Sequence, residues 1–362
     1  MICKRVLYRN FRNIEQAELC PSPQVTVLHG DNGQGKTNAL EGIYLFAQGR
    51  SFRTAKESEL IRFGEQDASV TLFFADRNRE MQMSIRWSAE RKRRFCRVNG
   101  YPVTKMSELI GSFRAVLFAP QHLSLVRDGP NVRRTFLDVA ISQLEPHYIV
   151  LLQRFNRILE QRNACIRKIR ETGSQKPFLE TVEVLSEQLA EVSALICERR
   201  CRYVAQLEEQ VRLFFGEMTG QREKPSLRSV QNRSEEEFLS QLTSHLDREV
   251  RYGATLFGAH KDDVSILLND KEARAFASQG QQRSLALAMK LAEGEISKDA
   301  SGEYPVFLFD DVLSELDEKR RSFLLSGMKD RQVIVTSCES FPFPCSLCHV
   351  ENGMLQEGCG VR

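Results

Sequence analysis

The amino-acid sequence predicts an α/β fold with a mixed sheet, interrupted by an inserted α-helical lobe that contains a short helical hairpin. A glycine-rich loop at residues 30–37 and an acidic strand end at residues 306–311 belong to one kind of site but lie far apart in the chain. Helical periodicity begins between them, at about residue 119. A site divided so widely requires a large insertion. We therefore expect a head built from residues 1–118 and 255–362, and a helical lobe built from residues 119–254.

The glycine-rich loop has the sequence GDNGQGKT and matches the phosphate-loop pattern G-x-x-x-x-G-K-[ST]. The apolar run Val25–Leu28 precedes it, and apolar residues at helical spacing follow it. Such a loop points backbone N–H groups at an anion from a helix N-terminus. Lys36 should reach the β- and γ-phosphates of ATP, and the Thr37 hydroxyl should coordinate Mg²⁺. The candidate nucleotide-binding residues here are Gly30, Asn32, Gly33, Gln34, Gly35, Lys36, Thr37 and Asn38.

The acidic strand end follows the continuous apolar run Val306–Phe309, which is typical of a strand buried on both faces of a parallel sheet. We expect Asp310 to hold Mg²⁺ through water. Asp311 should orient or deprotonate the attacking water, as positioning residues do in phosphoryl transfer. Lys36, Asp310 and Asp311 are therefore the candidate catalytic residues of an ATPase that produces ADP and phosphate.

A third motif, SQGQQRS at residues 278–284, has the form of an ATP-binding-cassette signature. Together with the phosphate loop and the acidic strand end, it predicts a P-loop ATPase head of the ATP-binding-cassette (ABC) type.

Composition restricts the class of protein further. The 362 residues carry a formal net charge of +3, which is too small to indicate nucleic-acid binding by itself. We find no apolar run of membrane-spanning length and no signal-peptide core, so we expect a cytoplasmic protein that does not use a membrane. The ten cysteines fit reduced thiols in that compartment.

Cys345, Cys348 and His349 match a C-x-x-C-H haem-attachment pattern, and with Cys359 they also allow a zinc interpretation. Haem attachment takes place outside the cytoplasm, and a second metal-binding pair is absent from the sequence. We favour coincidence, with a redox or metal role as the alternative.

Between the motifs, period-2 patterns predict strands at residues 69–74 and 81–87, and Asn99-Gly100 predicts a hairpin turn. Two apolar stripes at helical spacing, separated at residues 173–177, predict a helical hairpin or two ordinary core helices. Further along, we expect a polar connection at residues 219–236. We expect strands at residues 254–257, 264–268 and 333–336, and a helix from Ser284 to Glu295.

The basic cluster Arg91, Lys92, Arg93 and Arg94 lies near the predicted hairpin and could contact DNA phosphates. A solvated charged turn explains the same residues equally well. Arg133 and Arg134 could be structural and pair with Asp138 or with the acids around residue 262.

Several segments, in order and spacing, resemble the RecF family of bacterial recombination mediators. They are NFRN at 10–13, GQGKTN at 33–38, GRSFR at 49–53, RRTFLD at 133–138, QRN at 161–163, HKDD at 260–263, the signature, and DDVLSELD at 310–317. The resemblance covers nearly the whole chain. It departs from the usual pattern after Pro120, where acidic residues commonly follow.

The resemblance implies an ATP-dependent homodimer in which the signature of one head caps the γ-phosphate bound to the other. Ser278, Gly280 and Gln281 would make that contact, and Asp317 would cross the interface. Within one head, Arg12 and Asn13 would lie near the base and sugar, Arg50 or Arg53 near the phosphates, and Gln121 at the nucleotide.

The resemblance also implies binding to gapped DNA or to junctions of single-stranded and double-stranded DNA. With RecO and RecR, such a protein helps to load the RecA recombinase, which supports repair, replication restart and the SOS response. ATP turnover should be slow and stimulated by DNA. The alternatives are an ABC ATPase subunit of another assembly, such as a transporter, and a scaffold that holds ATP as a structural ligand. Lys36 with Asp310 and Asp311 argues against the scaffold.

Overall fold

The computed structural model describes residues 1–174, 176–229, 233–328, 330–338 and 344–357. The chain forms two compact units. The first contains Met1–Val126, Gln210–Glu223 and Ala277–Arg362, and the second contains Arg127–Glu209 and Lys224–Phe276. These units divide the chain differently from the three predicted segments, because residues 255–276 lie in the second unit and residues 210–223 in the first.

The elements are named here in chain order. The strands are β1 (Ile2–Phe11), β2 (Ile14–Leu19), β3 (Val25–His29), β4 (Asp67–Ala75), β5 (Glu80–Ser88), β6 (Arg93–Val98), β7 (Tyr101–Val103), β8 (Ala115–Phe118), β9 (Pro225–Ser229), β10 (Val264–Leu268), β11 (Lys271–Glu272), β12 (Val306–Asp310), β13 (Val333–Ser337), β14 (Ser346–Glu351) and β15 (Met354–Glu357). The helices are α1 (Lys36–Gln48), α2 (Pro130–Leu144), α3 (His147–Thr172), α4 (Leu179–Thr219), α5 (Glu235–Ser244), α6 (Leu246–Tyr252), α7 (Ala273–Phe276), α8 (Gln279–Ser301) and α9 (Glu318–Ser326).

One sheet of the first unit is antiparallel, with strand order β2-β1-β4-β5-β6-β7. Its strands alternate between buried and exposed positions, as expected for a sheet with one face on the core and the other in water. The buried face packs on α1, where Tyr8 and Phe11 lie against Gly42. Between β6 and β7, Asn99 and Gly100 both have positive φ, which confirms the predicted Asn-Gly hairpin.

The other sheet of the first unit is mixed, with order β15-β14-β3-β13-β12-β8. Strands β14, β3, β13, β12 and β8 run parallel, and β15 is antiparallel to β14. All five residues of β12 are buried, as its apolar run predicts. Because parallel strands share one carboxyl edge, the ends of β3, β13 and β12 meet there, and α1 leads away from that edge. The mixed sheet of the predicted fold class is confirmed.

The second unit contains the predicted helical hairpin. Contacts Arg154–Glu191 and Arg162–Ser186 run in opposite directions along α3 and α4, so the two helices are antiparallel. Arg162 is fully buried and forms an ion pair of 2.7 Å with Glu249, which is also buried. A buried charge requires such a partner, so this pair is structural.

Three local predictions were wrong. Residues 254–257 form no strand, because their backbone enters turns instead of pairing. The connection 219–236 includes β9, which pairs with β10 over Pro225–Ser229. Finally, α8 is longer at both ends than Ser284–Glu295, since its capping residue is Ser278 and Gly302 ends it. None of the helices in the described ranges is long and apolar enough to cross a membrane.

Candidate functional site

The glycine-rich loop joins β3 to α1, as its sequence predicts. Gly30 has a φ of 157°, and a Cβ atom there would lie 2.2 Å from the Val350 carbonyl oxygen. Gly35 has a φ of 116°, and its Cβ would lie 2.7 Å from Asn13 Oδ1. Only glycine tolerates both the conformation and the close approach at these positions.

Lys36 begins α1, and its side chain is 6% exposed. Its Nζ donates hydrogen bonds to the carbonyl oxygens of Gly30 at 2.6 Å and Asp31 at 2.8 Å, and lies 3.2 Å from Cys338 Sγ. The ammonium group is therefore fixed inside the curve of the loop, where a phosphate would meet it.

The loop and the acidic strand end meet through their side chains. Thr37 Oγ1 donates to Asp310 Oδ1 at 2.7 Å, although the two residues are 273 positions apart. Thr336, at the end of β13, donates to the same oxygen at 3.0 Å. Burial raises the pKa of Asp310, while the two hydroxyl hydrogen bonds oppose that shift.

A hydroxyl and a buried carboxylate, side by side, are oxygen ligands of the kind Mg²⁺ takes beside phosphates. The carboxylate of Asp310 also lacks a salt bridge among the described residues, so a cation would offset its burial. Thr37 and Asp310 therefore fit the ion that the sequence predicts.

Asp311 follows at the carboxyl edge with a φ of 49°, a left-handed conformation that directs the chain away from the sheet. Its backbone N–H donates to Thr336 Oγ1 at 2.8 Å. Ser314 Oγ donates to the Asp311 carbonyl at 2.7 Å and lies 3.3 Å from its Oδ1. The carboxylate is thus partly exposed beside Asp310.

A polar network adjoins the loop on the side of α1. Glu41 is fully buried and accepts two hydrogen bonds from Arg12, at 2.9 and 2.7 Å. Arg53 lies 3.4 Å from Glu41 and donates to Asn38 Oδ1 at 2.6 Å. Asn13 accepts from Asn38 at 2.7 Å. The structure thus brings the predicted Arg12, Asn13, Asn38 and Arg53 together around a carboxylate that the sequence analysis missed.

The signature motif forms the first turn of α8. Ser278 is the capping residue, and it exchanges hydrogen bonds with Gln281 in a capping box. Arg320 Nε donates to Ser284 Oγ at 2.7 Å, and its Nη2 donates to the Gly280 carbonyl at 2.9 Å. Arg320 also pairs with Asp317. Arg320 therefore joins the signature turn to the loop that carries Asp317. Arg283 of the signature makes a second connection, since its Nη1 donates to the Glu315 carbonyl at 2.7 Å.

Two other predicted residues lie apart from these contacts. Gln121 is exposed in a short 3₁₀ helix, Pro120–Ser124, and its carbonyl accepts from the Ser124 hydroxyl at 2.6 Å. Arg50 is exposed just after α1.

Comparison with known proteins places the chain in a family. The model of the RecF/RecN/SMC N terminal domain matches residues 2–343. A protein of Halothermothrix orenii named DNA replication and repair protein RecF is 38% identical over 353 residues, covering 94% of this chain and 93% of its own. A protein of the same name from Ruminiclostridium cellulolyticum is 36% identical over 349 residues, covering 93% and 92%.

The chain belongs to the RecF family.

Solved structures agree with that assignment. A RecF structure described as the recombination mediator protein RecF-ATP in the RecFOR pathway superposes with a TM-score of 0.91 at 31% identity, covering 99% of this chain and 97% of that one. An Smc head domain from Pyrococcus furiosus superposes with a TM-score of 0.57 at 16% identity, covering 98% and 95%, and it supports the fold alone. The predicted ABC-type head is confirmed.

Two more family segments have structural partners in the second unit. Arg133 forms a forked pair with Asp263 at 2.7 and 2.9 Å, and Arg134 donates to the carbonyl of Asp262. Asp138 pairs instead with Arg200, at 3.0 Å. These contacts agree with the structural interpretation of the two arginines, in which they pair with the acids around residue 262.

The cysteine pattern forms no recognisable metal site. Cys345 and Cys348 are buried, and no group of three or more potential metal ligands occurs within the described ranges. Cys359 lies outside the residues that the structure describes.

Sequence reasoning missed four residues that contact the predicted site residues: Thr336, Cys338, Glu41 and Arg320. The strand that ends at Thr336 was predicted. A polar residue at the end of a parallel strand, next to the ends of two other strands, could have indicated that Thr336 belongs to the site. Glu41 and Arg320 gave none, because charged residues on helices are usually solvated.

Proposed function

We propose that this chain is an ATP-dependent DNA-binding protein of recombinational repair that hydrolyses ATP slowly and dimerises when ATP binds. In this proposal it acts in the cytoplasm on gapped DNA or on junctions of single-stranded and double-stranded DNA. With RecO and RecR it promotes the loading of RecA, in repair, replication restart and the SOS response. Membership of the RecF family supports this role.

One observation carries the enzymatic part of the proposal. The Thr37 hydroxyl and the Asp310 carboxylate are 2.7 Å apart, at the mouth of a loop whose lysine is already buried and oriented. A structural scaffold would not need a buried acid beside a phosphate loop, whereas phosphoryl transfer does.

Each residue then has a defined task toward ATP as substrate. Backbone N–H groups of the loop and Lys36 bind the β- and γ-phosphates, and Lys36 exchanges its present carbonyl partners for phosphate oxygens. Thr37 and Asp310 would hold Mg²⁺, which when bound would neutralise charge that develops on the phosphates. Asp311, partly exposed beside them, orients the attacking water and accepts its proton.

The signature turn contributes to the partner's site in the proposed dimer. The N-terminus of α8 presents the positive end of a helix dipole, which is suited to a γ-phosphate. Ser278 and Gly280 lie at that end. Because Arg320 ties Gly280 to Asp317, both elements would reach the interface as one surface.

DNA binding is assigned to the exposed face of the antiparallel sheet. We call Arg9, Arg91, Lys92, Arg93 and Arg97 the basic face. All five are exposed, and strand register aligns Phe95 of β6 with Arg86, Ser69 and Arg9 across four strands. Arg93 lies 4.6 Å from the Phe95 ring centre. Arginines spread across a sheet suit the spaced charges of a phosphate backbone.

Arg94, part of the originally predicted basic cluster, is left out of the basic face. Its Nη1 donates to the Gly49 carbonyl at 2.7 Å and pairs with Glu57 at the same distance. On a strand, residue 94 points opposite to residues 93 and 95. The Arg94 guanidinium is therefore bound to partners within the protein.

The enzymatic proposal is tested by ATP turnover with and without gapped DNA, together with molecular mass in solution with and without ATP. We expect slow hydrolysis, stimulation by gapped DNA and a doubling of mass on adding ATP. Lys36→Ala should abolish ATP binding, because it removes the cation at the centre of the loop. Normal turnover by that variant would contradict the assignment of the site.

The DNA surface is tested separately. Changing Arg9, Arg91, Arg93 and Arg97 together to glutamine should weaken DNA binding and lower the slope of log K against log salt by up to about 0.9 per lost phosphate contact. The control makes the same change to glutamine at Arg77 and Arg79, two exposed arginines in the β4–β5 turn. If the slope of log K against log salt were unchanged in the first variant, the basic face would be a solvated surface that does not contact DNA phosphates.

A further inference from the structure

A cavity of about 910 Å³ opens beside the phosphate loop in the first unit. Its volume lies in the range of small-molecule sites, roughly 300–1,000 Å³. Asn13 and Asn38 line one end, and Asn13 Nδ2 donates to the Gln34 carbonyl of the loop at 3.0 Å. The cavity is therefore continuous with the site proposed for the phosphates.

A tight turn that carries Phe63 also lines the cavity. The Glu65 N–H donates to the Arg62 carbonyl at 3.0 Å, and Gly64 has a φ of 88°. Positive φ at the third residue makes this a type II turn, with Phe63 at its second position. Only glycine adopts that third position without strain, so the sequence Phe63-Gly64 fixes where the ring projects.

The turn is anchored to the end of β1. The Arg62 N–H donates to the Asn10 carbonyl at 2.8 Å, and Asn10 Nδ2 donates to Glu65 Oε2 at 3.0 Å. Arg62 also pairs with Glu15 at 2.7 Å. The backbone that carries the ring is therefore held in place before any ligand arrives, which limits the backbone entropy lost on binding.

Phe63 itself is fully exposed, with no part of its side chain covered by the protein. A large apolar ring in water gains free energy when a flat, apolar surface covers it. Single exposed apolar residues are common and need no explanation alone. This one differs because it lines a cavity that leads to a phosphate loop.

We propose that Phe63 stacks on the base of the bound nucleotide and contributes the part of the affinity that depends on the base. This inference rests on the proposed function, since it takes the phosphates to lie at Lys36. The lining of the cavity supports it, because the apolar ring of Phe63 shares the cavity with polar side chains that adjoin the loop. Among them, the Arg12 guanidinium is held by Glu41 and by the Glu59 carbonyl, at 2.8 Å from the latter. It is thereby placed to meet the edge of a base or its sugar.

The experiment compares a ligand that has a base with one that lacks it. ATP and inorganic tripolyphosphate, each with Mg²⁺, are titrated calorimetrically into the parental full chain and three variants. Phe63→Ala should bind ATP roughly tenfold or more weakly, the usual scale for losing one aromatic–base stack. Its affinity for tripolyphosphate should equal the parental value. Phe63→Tyr should restore ATP binding, because it retains the ring.

Tyr101→Ala provides the matched control, since Tyr101 is an exposed aromatic residue of β7 that does not line the cavity. It should bind both ligands as the parent does. Equal losses for ATP and tripolyphosphate in Phe63→Ala, or no loss for either, would overturn the stacking role while leaving ATP binding intact. If the parental chain bound no ATP at all, the proposed function would fail, and this inference with it.

Discussion

Replacing Arg320 with glutamine should weaken the connection between the first turn of α8 and the loop that carries Asp317. The guanidinium makes two hydrogen bonds to that turn, at 2.7 Å to Ser284 and at 2.9 Å to Gly280. The shorter amide of glutamine cannot make both while also pairing with Asp317. The contacts of Arg283 with Glu315 would remain, so the two elements would be held together less firmly.

The size of the effect follows from those contacts. Arg320 is 24% exposed and Asp317 is 54% exposed, so their ion pair contributes little after screening. Each hydrogen bond to a neutral oxygen is worth about 1 kcal/mol net, giving about 2 kcal/mol per head. That corresponds to roughly thirtyfold in an equilibrium constant. Because a symmetric dimer contains the joint twice, about 4 kcal/mol is the upper limit for dimerisation.

The assay measures nucleotide affinity and light-scattering mass on the same sample, with and without ATP. We expect Arg320→Gln to bind ATP as the parent does and to dimerise more weakly, by up to roughly thirtyfold for each head. Lys319→Gln removes a neighbouring exposed charge from the same helix and should dimerise normally. If Arg320→Gln dimerised as strongly as the parent, the proposed role of Arg320 at the dimer interface would be refuted. Loss of ATP binding by this variant would indicate instead that Arg320 acts within one head.

Three further outcomes are expected. Asp311→Asn should bind ATP but hydrolyse it at a small fraction of the parental rate, so the ATP-bound dimer should persist; parental turnover would show that another group orients the water. Ser278→Arg should bind ATP in a single head yet fail to dimerise, and an ATP-induced dimer of ordinary strength would refute the trans contact. The third outcome concerns pH. Because burial raises the pKa of Asp310, its charge costs stability above that pKa, and the cost disappears as pH falls toward the ordinary aspartate value near 3.9. Without nucleotide, the melting temperature of Asp310→Asn should therefore equal or exceed that of the parent at pH 8. The difference between the two melting temperatures should shrink as the pH falls. A variant whose melting temperature lies below that of the parent by the same amount at pH 8 and pH 5 would contradict this.

Much of the site was predictable because its motifs fix backbone and chemistry locally. The run GDNGQGKT specifies a loop that only glycines can form, and Val306–Phe309 specifies a buried strand before two acids. The hairpin at Asn99-Gly100 was equally local, since its turn requires positive φ at both residues.

Other elements depended on partners distant in sequence. The composition of residues 225–229 predicts a polar connection, yet they form β9 because they pair with the edge of β10. The composition of residues 254–257 predicts a strand, yet none of the described strands pairs with them. Intrinsic β-propensity is weak compared with the availability of a neighbouring strand.

The sequence by itself determined the phosphate loop, the acidic strand end, the signature and the helical hairpin, because each is encoded within a few turns of chain. Only the tertiary structure decided which side chains meet. It placed Thr37 against Asp310 across 273 positions, Arg320 between the signature and Asp317, and Glu41 beneath two arginines. It also left Phe63 uncovered in the lining of a cavity. Such contacts arise from the order of strands in a sheet and the packing of α1 between two sheets, and no local pattern records either.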